Sequence, residues 1–222
     1  MMLTSEALFL LLTTDAGKHE PWISYRKEAL RGGLLADLVV ANLVEFAHEK
    51  DPHVTLLTGA TEAEHPVLRY GVQALGENEP DRASNLVQSG WFDPEETIAM
   101  VLADQGIITV ETKKFLFFSS EQYPMCDPEP ERRLRSTLAE VLADTRSPTA
   151  QDVIILAILQ EMSAVRTILK RETEGFGPFK LNKRLDEIRQ RELDDDTVTD
   201  AVREAIQTMA AIMTSVVITP MH

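Results

Sequence analysis

The sequence predicts a mainly α fold: a single-domain helical bundle with surrounding helices and loops plus one short apolar β-hairpin. Three observations predict it. Apolar residues recur three and four apart over most of the chain, which is the spacing of a helix face. After a stop at Gly106, two closely spaced β-like runs follow, the second containing Phe115, Leu116, Phe117 and Phe118 in succession. With 222 residues, 44% of them hydrophobic, and no Gly, Ser or Pro tract to act as a linker, residues 1–222 read as one domain around one core.

Each element follows in order. Thr4 and Ser5 offer an N-cap before the apolar run 7–12, and the turn residues at 15–18 end this first helix. A second helical pattern runs from about residue 24 through Leu30, Leu34, Leu35, Leu38 and Val39. Gly32 and Gly33 weaken it, each by up to ~1 kcal/mol against Ala, and so suggest close packing against a neighbour. Residues 43–46 and 53–57 are β-like, and 65–76 and 81–90 read as modest helices. Asp93 and Pro94 start a helix over 93–104 that Gly106 stops. The hairpin is expected to pair 107–111 with 115–119 across a Thr112-Lys113-Lys114 turn, placing both lysines at its tip. Helices are predicted over 128–143, 150–171, 178–191 and 196–217. Val153 to Leu159 is apolar nearly all round, so that helix belongs at the centre.

Charge and cysteine usage narrow the function classes. A formal net charge of −14 repels polyanions, so a nucleic-acid partner is disfavoured and any anion site must be a local basic exception. Lone Cys126 forms no intramolecular disulfide, which fits a reducing, cytoplasmic setting. Neither the 7–12 run nor the 209–219 run reaches the roughly 20 apolar residues a bilayer-spanning helix needs, so membrane contact would be peripheral. The five histidines lack metal-site spacing, and neither a nucleophile elbow nor a Gly-rich phosphate loop is present, so no cofactor, metal or enzymatic activity is expected. Arg132, Arg133 and Arg135 are read as a solvated helix face beside Glu129 and Glu131, and Asp194 to Asp196 as charges at a helix start.

Three blocks, taken in order, carry a resemblance. Trp22 stands nine residues before Arg31 in the stretch Leu30-Arg31-Gly32, with Asp37 following in the same apolar helix. The opening 5–12 block and the 106–118 hairpin block, with Tyr123-Pro124 behind it, complete the set. Together they resemble the Golgi phosphoprotein 3-like family over most of residues 3–145, and the chain is more similar to its short bacterial members than to eukaryotic ones with an extended N-terminal arm. The resemblance implies a helical bundle with one apolar hairpin and recognition of phosphatidylinositol 4-phosphate, an anionic phospholipid headgroup, with Trp22 and Arg31 lining the pocket. It also implies a hairpin, Phe115 to Phe118, that enters the bilayer or joins subunits into a homo-oligomer. A guanidinium suits a phosphate through paired charge-assisted hydrogen bonds, and an amphipathic indole suits the headgroup layer.

The chain departs from that pattern at one point. The family's lipid-binding members carry two more basic residues, three apart, in the helix before the hairpin. Counting back from Gly106 places Phe92 and Glu95 there. A carboxylate at ~6 Å from a phosphate costs roughly 3 kcal/mol before screening at an effective dielectric of ~20. Arg31 has a second reading as a structural ion pair, and Trp22 as a packing anchor. Two other functions fit parts of the pattern: a winged-helix-like regulator, opposed by the acidic helix 93–104, and a scaffold that self-associates through the hairpin.

Overall fold

A computed structural model describes residues 2–47, 51–60, 63–78, 81–115, 118–195 and 198–218. The predicted fold class holds: the architecture is mainly helical, with two small two-stranded sheets. Helix α1 (Thr4–Leu11) is buried throughout and lies against α2 (Arg26–Val40). Its N-terminal amides are capped from α2, not by its own Thr4 and Ser5 as the sequence suggested. Asp37 accepts from Thr4 N (2.8 Å), Ser5 N (2.9 Å) and Ser5 Oγ (2.7 Å). A carboxylate at a helix N-terminus meets both the unpaired N–H groups and the positive end of the dipole. The close packing expected at the paired glycines belongs to Gly33, where an added Cβ would lie 2.9 Å from Leu8 Cδ1 and 3.0 Å from Ser5 Cα.

Strands β1 (Val44–Phe46) and β2 (Val54–Leu56) pair antiparallel. Helices α3 (Pro66–Glu77) and α4 (Ala83–Gln88), a 3₁₀ turn (Gly90–Phe92) and α5 (Glu95–Asp104) follow. Gly106, at φ +73°, closes α5: Ile107 N bonds to Leu102 O and Gly106 N to Ala103 O, the paired bonds of a left-handed helix stop.

The hairpin forms in a different register from the one expected. Strands β3 (Glu111–Phe115) and β4 (Phe118–Gln122) pair Thr112 with Glu121, Lys113 with Ser120 and Phe115 with Phe118. Lys113 and Lys114 are therefore strand residues, and Phe115 with Phe118 is the last described pair. Leu116 and Phe117 lie outside the described residues. Leaving two residues between the strands is the commonest hairpin closure, and it outweighs the three-residue turn read from the sequence. The base is clamped by the loop after α1: Tyr123 N donates to Gly17 O (2.9 Å) and Met125 N to Asp15 O (3.1 Å). Gly17, at φ +77°, admits no side chain, since a Cβ there would lie 2.3 Å from Pro124 N.

The remaining helices are α6 (Glu129–Leu142), α7 (Ala150–Glu161), α8 (Val165–Ile168), α9 (Pro178–Asp194) and α10 (Asp200–Ile218). As predicted, Val153 to Leu159 is buried all round, with α10, α9, α2 and α1 packed about it. The helix expected over 150–171 is instead two. Ser163 adopts φ +55°, with Ala164 N bonded to Leu159 O and Ser163 N to Gln160 O, so α7 stops as α5 does but without a glycine. One apolar core runs from Ala7 through Met213.

Candidate functional site

The segment entering α2 and the start of α5 meet at a cluster of charges. Trp22 lies on the entering segment and is 93% exposed. Its φ of +72° places a bulky non-glycine residue in the left-handed region, a conformation costing of order 1–3 kcal/mol. From Arg26 onward the helix delivers three cations. Lys27 and Arg31, four apart, share one face. Both reach the same oxygen: Asp93 Oδ2 lies 3.2 Å from Lys27 Nζ and 3.1 Å from Arg31 Nη2.

Arg31 is only 5% exposed. Nη1 donates to Val87 O at 3.3 Å, while Nε is buried and has no hydrogen-bond partner. The structural ion pair weighed for Arg31 is thus present, but it leaves one donor of the guanidinium unused. The carboxylate that meets Arg31 is Asp93, not Glu95. Asp93 Oδ1 also accepts from Glu95 N (3.3 Å), so its side chain serves the first turn of α5 as well.

Glu95 belongs to a second, deeper pair. Its Oε1 accepts from Arg26 Nη1 (2.7 Å) and lies 3.1 Å from His19 Nε2. Burial would raise its pKa, but the hydrogen bonds and positive charge of His19 and Arg26 outweigh it and hold Glu95 at about 2. Arg26 is fixed on its remaining sides by Leu12 O (3.3 Å) and Thr13 Oγ1 (3.1 Å), over the Phe9 ring at 4.8 Å. Burial lowers the pKa of Arg26, with Glu95 opposing the shift. Phe92 is fully buried, edge-on to Trp91 at 5.8 Å, and Tyr70 Oη donates to Trp91 O (3.1 Å).

The two positions where the resemblance expected cations therefore hold a core ring and an anion already neutralised by Arg26. Sequence reasoning named Trp22, Arg31 and Glu95 but missed Arg26, Lys27, His19 and Asp93 as partners. The available signal was the spacing of Lys27 and Arg31 set against the acidic start of α5.

A groove of mixed charge lies elsewhere, with Asp144 and Glu187 paired to its Arg184 and Lys183. It spans about 330 Å³ between the end of α6 and the first half of α9 and is lined by Leu142, Phe176, Lys180, Lys183 and Arg184, among others. Lys180 sits over the Phe176 ring at 5.6 Å. Arg132 and Arg133 pair with Glu129 on an exposed face of α6, as the solvated-face reading expects, but Arg135 does not share it: it pairs with buried Glu131 and reaches Ile168 O (2.7 Å) and Glu172 (3.5 Å) outside the helix. Among the described residues, no group of three metal-ligating side chains converges, and no helix is long and apolar enough to cross a membrane.

Fold and cluster together define a mainly helical protein with an exposed tryptophan on the segment entering α2, a helix whose Lys27 and Arg31 are met by an internal carboxylate. No curated protein matches the chain. The family described as Golgi phosphoprotein 3 (GPP34) matches residues 3–209, and the chain belongs to that family. The match extends well past residue 145, where the block-by-block resemblance ended.

Proposed function

We propose that this chain is a noncatalytic peripheral membrane protein that recognises an anionic phospholipid headgroup of the phosphatidylinositol 4-phosphate type. It acts as one domain over residues 1–222 at the cytoplasmic face of a bacterial inner membrane. The observation that carries this reading is Trp22: a large indole, almost wholly exposed, held in strained backbone on the segment that leads into the Lys27–Arg31 face. Strained, exposed aromatic residues mark surfaces where something is to be bound, and Trp is suited to the headgroup layer. Lys27 and Arg31 supply the phosphate-facing half. Family membership supports the same reading.

The test is vesicle flotation at low salt, comparing phosphatidylcholine alone with the same lipid containing phosphatidylinositol 4-phosphate. Wild type floats with the phosphoinositide vesicles, and Trp22→Ala and Arg31→Ala each reduce the bound fraction severalfold. Equal flotation of all three proteins on both lipids removes the headgroup reading.

A second reading, self-association through the hairpin, is favoured by the exposure of that element. Thr109 to Lys113, Ser120 and Glu121 are exposed, and neither strand packs substantially on another element. A ribbon so placed, with an apolar tip in its sequence, suits a second copy of the chain. A Phe117→Asp, Phe118→Asp double variant lowers the mass seen by light scattering if this holds, and unchanged mass removes the hairpin from assembly. A DNA-binding role is opposed by α5, which carries Glu95, Glu96 and Asp104 and neither Lys nor Arg.

A further inference from the structure

Arg31 and Lys27 are built as an anion site, and the anion is internal. Two cations four apart on α2 converge on the single oxygen Asp93 Oδ2, at 3.1 and 3.2 Å. Both are ordinary hydrogen-bond distances, and one carboxylate oxygen serves both cations. The guanidinium presents its paired Nε and Nη2 donors along one edge, the edge that grips a carboxylate or phosphate bidentately. Asp93 takes Nη2 alone. Nε remains buried without a partner in a residue that is only 5% exposed. A structural arginine at such depth normally has every donor filled.

The carboxylate stands at the edge of the solvent. Its other oxygen holds the Glu95 N–H at 3.3 Å, and its side chain keeps 18% of its surface exposed. Rotation of Asp93 toward solvent would leave two cations and three donors, Lys27 Nζ, Arg31 Nη2 and Arg31 Nε, facing one point. The neighbouring pair does not compete for that place, because Arg26 and Glu95 satisfy each other at 2.7 Å.

We propose that Asp93 is a resident counter-anion standing where the headgroup phosphate would sit, so that it sets the affinity of this chain for anionic lipid and keeps the site closed to weak anions. This rests on the headgroup reading above and adds its control element. Monoanionic headgroups would exchange one carboxylate for an equivalent charge. A phosphomonoester, with charge near −1.5 to −2 and three acceptor oxygens, offers more than Asp93 does and can fill Nε as well.

The experiment measures binding of the full chain to phosphatidylcholine vesicles containing phosphatidylinositol 4-phosphate, for wild type, Asp93→Asn, the Asp93→Asn/Arg31→Gln double variant and Asp104→Asn. Asp104→Asn removes the same charge from the exposed far end of α5. Asp93→Asn binds about tenfold tighter than wild type or better. The double variant loses the gain, Asp104→Asn shows none, and soluble inositol 1,4-bisphosphate competes it away. Asp93→Ser, which keeps an oxygen for the Glu95 N–H, replaces the amide variant if thermal unfolding shows the latter to be misfolded. A gain that survives in the double variant, appears equally in Asp104→Asn or resists the soluble headgroup overturns the proposal. If Asp93→Asn binds no tighter while wild-type binding still depends on Arg31, the gate is absent but the headgroup reading stands. If no variant binds any vesicle, the headgroup reading falls and the gate with it.

Discussion

Arg31 and Arg184 are both buried arginines facing an aspartate, yet they are used differently. Arg184, 8% exposed on α9, donates Nη2 to Val141 O (2.8 Å) and to Asp144 Oδ1 (2.8 Å), and Nε to Leu142 O (3.1 Å). Those carbonyls belong to the last turn of α6, where Val141 O also accepts from Asp144 N (3.2 Å), so Arg184 caps that helix end and fixes α9 against it. Arg31 has one carbonyl, one carboxylate shared with Lys27 and a bare Nε. Burial and ion pairing are common to both. What separates the two is the depth of the unused donor: Arg31 Nε is buried without a partner, whereas no buried nitrogen of Arg184 is left so.

That contrast can be broken by mutation. Arg184→Met is expected to have the largest effect, lowering unfolding free energy by about 3 kcal/mol in urea titration, because it strips the carbonyl caps and a buried charge contact together. Vesicle binding by the folded protein is unchanged. Arg31→Met costs less, about 1 kcal/mol, since Lys27 still neutralises Asp93. A loss at Arg31 as large as at Arg184 would give both of them the same structural role.

Acid titration probes the Arg26–Glu95 pair that lies beside Asp93. Glu95 is held at about 2 against an ordinary 4.5, so its contribution to stability, up to about 3 kcal/mol, is present above 4.5 and lost as pH falls toward 2. Asp37 behaves oppositely. Burial raises it from 3.8 to about 6 against its hydrogen bonds from Ser5 and Thr4, so the stability it contributes is full below 3.8 and lost as pH rises through 6. Asp37 therefore contributes a rise in melting temperature on acidification from pH 7 to about 4.5, opposed in the same window by His65, whose pKa burial lowers, and Glu95 contributes a fall below that. Glu95→Gln removes the acid limb while leaving the rise, and an unaltered acid limb would show the Arg26 pair to be energetically idle.

Gly33→Ala tests how firmly α2, and Arg31 with it, is seated on α1. The contacts at 2.9 and 3.0 Å predict a loss of about 2 kcal/mol, whereas Gly32→Ala, whose nearest neighbour is Met213 Sδ at 3.7 Å, is neutral or stabilising by up to ~1 kcal/mol. The smallest effect belongs to the groove: Lys180→Ala changes stability by less than about 0.5 kcal/mol, as an exposed lysine without a carboxylate partner should.

Helices α3, α5, α6 and α9 were legible because one face of each is buried at helical spacing, and Val153 to Leu159 because it is apolar all round. The hairpin register was illegible for a physical reason. Thr112 and Lys113 face Glu121 and Ser120, polar on both faces, so no alternation fixed the pairing and the apolar run was assigned to a strand interior. The break at Ser163 carried no glycine or proline. In the candidate site, Trp22 and Arg31 came from the resemblance, but Asp93 meets Arg31 across 62 residues of sequence, beyond the reach of any local pattern.

The clamp at Gly17 gives the two ends of this molecule a common bearing. The hairpin leaves the body through Tyr123, whose ring rests on Phe9 at 5.1 Å, and Phe9 also carries the Arg26 guanidinium that restrains Glu95. The same loop supplies His19 to that carboxylate. The base of the hairpin is thus tied, through Tyr123, Phe9 and the loop that holds Gly17 and His19, to the residues packed beneath the charge cluster.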